Sequence, residues 1–173
     1  MRIERKIQVM GVELVSPSSP LANFLPTKRT GNTIYVAGHL PLLPSGDLIF
    51  PGKVGAEVSV EQAYDAARLA AINCLASIKE SIGDLDYITE VMKLLVMINA
   101  APEFERHFIV ANGASDLLVE LYGNVGRHAR SAVGMAGLPR GSCVEVEMIV
   151  EVCLLYTSPS PRDLSTSRMP SSA

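Results

Sequence analysis

Tryptophan is absent from this sequence, and phenylalanine and tyrosine together make up 5% of it. So few rings leave little for a base-stacking surface of the kind that holds single-stranded nucleic acid. Basic residues are also in deficit. The formal charge is −3 at pH 7, whereas a phosphate backbone calls for a basic face. Both observations argue against a nucleic-acid binder. No long uncharged apolar run is present, so no segment reads as a membrane helix. The opening MRIERKIQVMG scatters charge where a secretory signal would carry an apolar stretch. Cysteine is scarce too: Cys74, Cys143 and Cys153 fall at no metal-site or disulfide spacing. Two of them lie in apolar segments, where a reduced, buried thiol is the ordinary outcome. These absences together point to a cytoplasmic protein with no metal and no membrane partner.

Hydrophobic residues make up 48% of 173 residues, enough for one buried core. A single domain over residues 1–152 is expected, with residues 1–22 as an N-terminal helix and loop extension. Ile3, Ile7, Met10 and Leu14 recur at helical spacing, and this helix should stop near Gly11. SPSSPLANFLPTKRTGN reads as an extended loop, TIYVAG as a strand, and Leu48 to Phe50 as a further short strand. Ser59 to Ile82 is the clearest helix, opened by Ser59 and Gln62 in a capping-box pattern and stopped by Gly83. VMKLLVMI, Val91 to Ile98, is apolar enough for a strand covered on both faces. A second long helix falls within Phe104 to Tyr122, with an interruption expected near Asn112 and Gly113. Arg130 to Ala136 and Cys143 to Val152 read as strands. The last alternates valines and Met148 on one face with Glu145, Glu147 and Glu151 on the other. The expected class is α+β, a mixed sheet with two main helices on one face. Too few helices remain to cover the second face, so self-association is the economical way to bury it.

Residues 153–173 differ in character, with six serines and three prolines in 21 residues. A Ser/Pro-rich tail of this kind is usually disordered. A sharper reading fits better. CLLYTSPSPRD and SRMPSSA both back-translate, in frame, to the constant blocks of a transposase-type sequencing adapter. A short index falls between them, under Leu164, Ser165 and Thr166. The segment is therefore expected to be adapter read-through and not native protein.

The chemistry-bearing residues cluster near the end of the domain. If the last two strands form a hairpin symmetric about Leu138 to Gly141, Ala132 faces Glu147, and Arg130 and Glu147 become diagonal neighbours on the non-valine face. A guanidinium there could clamp a carboxylate bidentately, beside a carboxylate able to activate water. A solvated ion pair on a sheet face is the commoner outcome for such residues. His39, His107 and His128 lack the carboxylate or cysteine partners of a metal site. His128, beside Arg127 and Arg130, would raise positive potential locally.

GRHARSAVGMAGLPRGSCVEVEMI resembles the signature of the RidA (YjgF) family, in which an Ala-Arg-Ser strand leads through a Leu-Pro turn to a Val-Glu-x-Glu strand. RTGNTIYVAGHLP is similar to that family's Gly-Asn, strand, Ser-Gly-Gln-x-Pro block. GKVG, AARLAAINCLASIKESIGDLD and NGASDLLVELYG look like its divergent branch labelled putative endoribonuclease or chorismate-mutase-like. The resemblance implies a chorismate-mutase-like fold and a homotrimer with clefts for a small carboxylate-bearing ligand between subunits. It also implies hydrolysis of reactive imines and enamines of amino acids, of the 2-aminoacrylate type, to keto acid and ammonia, with no cofactor. Arg130 matches the family arginine that pairs with the carboxylate, and Glu147 is assigned to the glutamate that positions water. Gly38 matches the glycine of the Ser-Gly-Gln block, and Asn112 a helix asparagine. Several positions depart from the pattern. Phe24 stands where the family has a tyrosine, Ala37 replaces a serine, His39 a glutamine and Ala132 a frequent cysteine. Phe24 would then be a cleft wall, and His39 could supply the missing polar group.

Three functions compete: the deaminase, a non-catalytic regulatory trimer that binds small carboxylates, and the endoribonuclease of the family label, which the acidic balance disfavours. If residues 153–173 are adapter-encoded, a chain ending at Val152 should match the longer chain or exceed it in solubility and melting temperature. Resequencing the source locus should find no codons for LLYTSPSPRD, and finding them would refute the adapter reading.

Overall fold

The computed structural model describes residues 2–14 and 22–153. The start of the proline-rich loop, within 15–21, and the expected adapter segment after Cys153 lie outside the described residues. Eight regular elements follow in order: α1 (Arg2–Val9), β1 (Thr27–Thr30), β2 (Thr33–His39), α2 (Val60–Ile82), β3 (Ile88–Asn99), α3 (His107–Tyr122), β4 (Ala129–Met135) and β5 (Val144–Val152). The strands form one five-stranded mixed sheet in the order β1-β2-β5-β3-β4. The fold is α+β, as the sequence leads one to expect.

Local sequence explains the helices. Ser59 accepts the Gln62 amide while Gln62 accepts the Ser59 amide, so two of the orphan donors at the start of α2 are satisfied reciprocally. Gly83, at φ 85°, closes the helix in a conformation that costs a residue with a Cβ. The buried side of α2 is mostly small: Ala63, Ala66, Ala67, Ala70, Ala71 and Cys74. Small residues let a neighbour approach closely, and α3 does so at Gly113. A Cβ built there would stand 2.0 Å from the Tyr64 carbonyl oxygen. The interruption expected at Asn112 and Gly113 is therefore not found. α3 runs unbroken because its glycine serves helix–helix contact and not a bend.

The sheet differs from expectation at three points. β1 lies within the stretch read as loop, paired antiparallel with β2 across a turn in which Gly31 takes φ 55°. Leu48 makes only an isolated bridge to Leu42, so no strand forms at Leu48 to Phe50. The third difference is topological. The last two strands do not pair as a hairpin. β3 lies between them, antiparallel to β5 and parallel to β4. Leu94, Val96 and Ile98 of β3 and Val144, Val146, Met148 and Val150 of β5 face the helices and are buried. Lys93, Leu95 and Met97 point to the other, open face with Glu145, Glu147 and Ile149.

Gly113→Ala tests the helix contact by the sign of its effect. In an exposed helix this change stabilises by up to about 1 kcal/mol. Here the methyl must displace the α2 backbone, and a loss of about 1–3 kcal/mol is expected in urea unfolding. A variant as stable as the parent would show that the helices part at no cost.

Candidate functional site

Parity along the strands decides which side chains can meet. Arg130 pairs with Leu94, which is buried under the helices, whereas Glu147 pairs with Leu95 on the open face. Arg130 and Glu147 thus lie on opposite faces of the sheet, with β3 between their strands. The expectation that they share a face rested on the hairpin and falls with it.

The guanidinium of Arg130 packs against α3. Its Nη1 donates to Asn112 Oδ1 and to Ser115 Oγ, both at 2.9 Å, and Nη2 donates to the Phe108 carbonyl at 3.4 Å. Residues 108, 112 and 115 project from one helix face, which is why α3 can grip a single side chain three times. All three acceptors are neutral, and among the described residues no ion pair compensates the charge of Arg130. Arginine has five N–H groups. Three are taken, and among the described residues Nε–H and one Nη2–H have no acceptor, two donors on the side that matches a carboxylate bidentately. Asn112, expected only from the resemblance, is therefore in direct contact with the arginine. Ala132 lies two residues along β4, half-buried against the core.

A second cluster forms on the open face around Gly38. β2 carries a bulge: Val36 pairs with Met148 but His39 pairs with Val146, so one extra residue sits on β2. The bulge turns His39 to the helix side. There its Nδ1 lies 2.6 Å from the Ala37 carbonyl and its Nε2 2.6 Å from Ser77 Oγ of α2. Burial lowers its pKa, opposed by the Ala37 hydrogen bond. His39 is thus tied under α2 and does not supply a polar group to the open face, contrary to expectation. Gly38, by contrast, lies directly beneath the carboxylate of Glu145, whose Oε1 occupies the place a Cβ would take, 1.8 Å away. Burial, and then the charge of Glu147, raise the pKa of Glu145.

Glu145 is not singled out by the sequence, which points to Glu147. It stands two positions before Glu147 on the same face, and Val-Glu-x-Glu offers both. Only the approach of Gly38, invisible in sequence, separates them. Glu147 itself is exposed and lines an open-face cleft of about 300 Å³ with Lys28, Tyr35, Lys93, Leu95 and Ile149. Phe24 is half exposed in the segment running beside β2.

The sheet thus carries two clusters, an arginine with a free fork and a glutamate of raised pKa over a glycine. Residues 4–152 match the family model described as YjgF/chorismate mutase-like, putative endoribonuclease, and the chain belongs to that family. It is 38% identical over 152 residues to Protein TCP17 of Trypanosoma cruzi, covering 87% of this chain and 94% of that one. Among solved structures it resembles Atu1372 of Agrobacterium tumefaciens, a protein of unknown function, with 42% identity, TM-score 0.79 and coverage of 87% and 91%. A Shewanella oneidensis protein described as a putative endoribonuclease matches at 31% identity and TM-score 0.83, with coverage of 87% and 99%.

The Gly38–Glu145 contact predicts an unusual variant. In Gly38→Ala the obstacle is the end of a flexible side chain, so stability should change by less than about 1 kcal/mol. Glu145 should swing into water, and its pKa, followed by NMR, should fall back toward the ordinary carboxylate value. An unchanged Glu145 titration would contradict the contact.

Proposed function

We propose that this protein is a RidA-type deaminase that hydrolyses small 2-imino acids to 2-keto acids and ammonia. The observation that carries the reading is the unpaired Nε–H/Nη2–H edge of Arg130, held on three neutral acceptors. A charged fork fixed in that way is matched by a carboxylate ligand. Glu145 supplies the second group. With Arg130 holding the carboxylate, water adds to the iminium carbon, forming a C–O bond as the C=N π pair moves to nitrogen. Glu145 takes a proton from that water and returns it to the amine. As the C–N bond breaks and ammonia leaves, the hydroxyl gives its proton to Glu145 and becomes the keto oxygen, and that proton passes on to ammonia, which departs as ammonium. An enamine such as 2-aminoacrylate first takes a proton on its terminal carbon to become the iminium. A carboxylate of raised pKa suits this exchange, because it is a stronger proton acceptor than an ordinary one and still returns the proton.

Arg130 and Glu145 lie on opposite faces of the sheet and on strands about 10 Å apart, two strand spacings. One ligand can touch both only if they come from different copies of the chain. The open face favours such copies. Tyr35, Val133 and Met135 stay 48%, 39% and 38% exposed on it, and association would remove them from water. The proposed assembly is a homotrimer with three such clefts.

A second reading, a non-catalytic carboxylate-binding trimer, is favoured by one observation. Phe24 has no hydroxyl, and His39, the residue that might have replaced it, is held under α2. The two readings part on variants. Arg130→Ala should weaken pyruvate binding by about 2–4 kcal/mol, and Arg130→Lys should recover only part of it. Glu145→Gln should leave pyruvate binding intact and lower ammonia release from generated 2-aminoacrylate by at least about 100-fold, while Glu147→Gln should change it little. The parent's rate should fall as pH drops through the raised pKa of Glu145, since only the carboxylate accepts a proton. Unaltered turnover in Glu145→Gln would remove Glu145 from the chemistry, and a parent that binds pyruvate but releases no ammonia above the uncatalysed rate would leave the binding reading alone standing.

A further inference from the structure

A guanidinium offers its ligand only the N–H groups the protein has not engaged, so the groups that hold its far end decide where the free edge points. Both hydrogens of Arg130 Nη1 are engaged, one by Asn112 Oδ1 and one by Ser115 Oγ. From Ser115 the hydrogen bonds continue inward. His128 Nε2 lies 2.9 Å from Ser115 Oγ, and His128 Nδ1 lies 2.6 Å from the Gly126 carbonyl oxygen. A carbonyl oxygen only accepts, so Nδ1 carries the hydrogen and Nε2 of the neutral ring is a bare acceptor. Burial lowers the pKa of His128, the Gly126 hydrogen bond opposes this, and the charge of Arg130 lowers it further. The neutral ring is then the form present at pH 7. This leaves one arrangement for the Ser115 hydroxyl. Its O–H points to Nε2, and its lone pair faces Arg130.

We infer that Ser115 and His128 are positioning residues for Arg130, a one-directional relay of hydrogen bonds that aims the Nε–H/Nη2–H edge at the ligand. Without Ser115, Asn112 would hold Nη1 at a single point, and only the long 3.4 Å bond from Nη2 to the Phe108 carbonyl would oppose a swing of the guanidinium plane. Ser115 adds the second point, and His128 fixes Ser115 as an acceptor by taking its hydrogen. Gly126 ends the chain in the backbone. The inference rests on the reading of Arg130 as a carboxylate clamp, but it concerns residues outside that clamp.

Four variants test the relay. Ser115→Ala removes the acceptor and Ser115→Thr keeps it. His128→Leu removes the acceptor for the serine hydroxyl, and His128→Gln offers an oxygen in its place. The first readout needs no ligand: the ¹⁵N heteronuclear NOE and hydrogen exchange of Arg130 Nε–H. Ser115→Ala and His128→Leu should speed that exchange about tenfold, with backbone amide exchange in α3 unchanged. Ser115→Thr and His128→Gln should return it toward the parent value. The second readout is pyruvate titration, in which the first two variants should bind about tenfold more weakly. An Arg130 Nε–H unchanged in both Ser115→Ala and His128→Leu would overturn the relay. So would failure of Ser115→Thr and His128→Gln to rescue in folded protein. If Arg130→Ala binds pyruvate as the parent does, the clamp reading fails, and the ligand-free readout still decides the relay.

Discussion

Strand β3 pairs antiparallel with β5 on one side and parallel with β4 on the other, and the remaining architecture follows from that double engagement. A parallel neighbour cannot be reached by a tight turn, so the chain must cross over the sheet between β3 and β4, and α3 is that crossover. β2 is likewise parallel to β3 across β5, and α2 makes the other crossing. Both helices are thereby delivered to one face, where their small residues pack closely enough for Gly113 to touch the α2 backbone. The same arrangement sends Arg130 to an edge strand facing α3, and Glu145 to an inner strand facing away from both helices.

The site is consequently split. α3 grips the arginine and leaves one edge of it free. The bulge in β2 brings Gly38 under Glu145, and burial there raises the pKa of the carboxyl. In the proposed function the halves divide the work, one to hold an anion and the other to exchange a proton. The open face between them combines apolar side chains with Glu145, Glu147 and Glu151 in a row on β5. Like charges so spaced repel, which works against solvent exposure of that face less than against its burial beside another acid. An assembly that sets the cationic Arg130 of one chain toward the glutamates of the next relieves that repulsion.

Much of this was legible in the sequence because it is written in local patterns. The capping box at Ser59 and Gln62, the stop at Gly83 and the valine–glutamate alternation of β5 each depend on neighbours a few residues away. What escaped the sequence depends on contacts between distant segments. The short link from β4 to β5 suggested a hairpin, yet β3, its residues apolar enough to need a neighbour on each side, took the place between them. That single insertion moved Arg130 to the other face. The β2 bulge shifted His39 by one position in parity, and only the packing of Gly38 distinguishes Glu145 from Glu147. Gly113 looked like a helix breaker because its partner, the Tyr64 carbonyl, lies on another helix.

The central claim is that one ligand site draws Arg130 from one copy and Glu145 from another. Co-assembly of two inactive variants tests it directly. Arg130→Ala and Glu145→Gln chains, unfolded together in equal amounts and refolded, would form mixed trimers in which some clefts receive an intact arginine and an intact glutamate. About a quarter of the parent's ammonia release from 2-aminoacrylate should return under random assembly, while each variant refolded alone stays inactive. Mixed trimers that form, by mass spectrometry, and remain as inactive as either parent variant would contradict a site shared between chains.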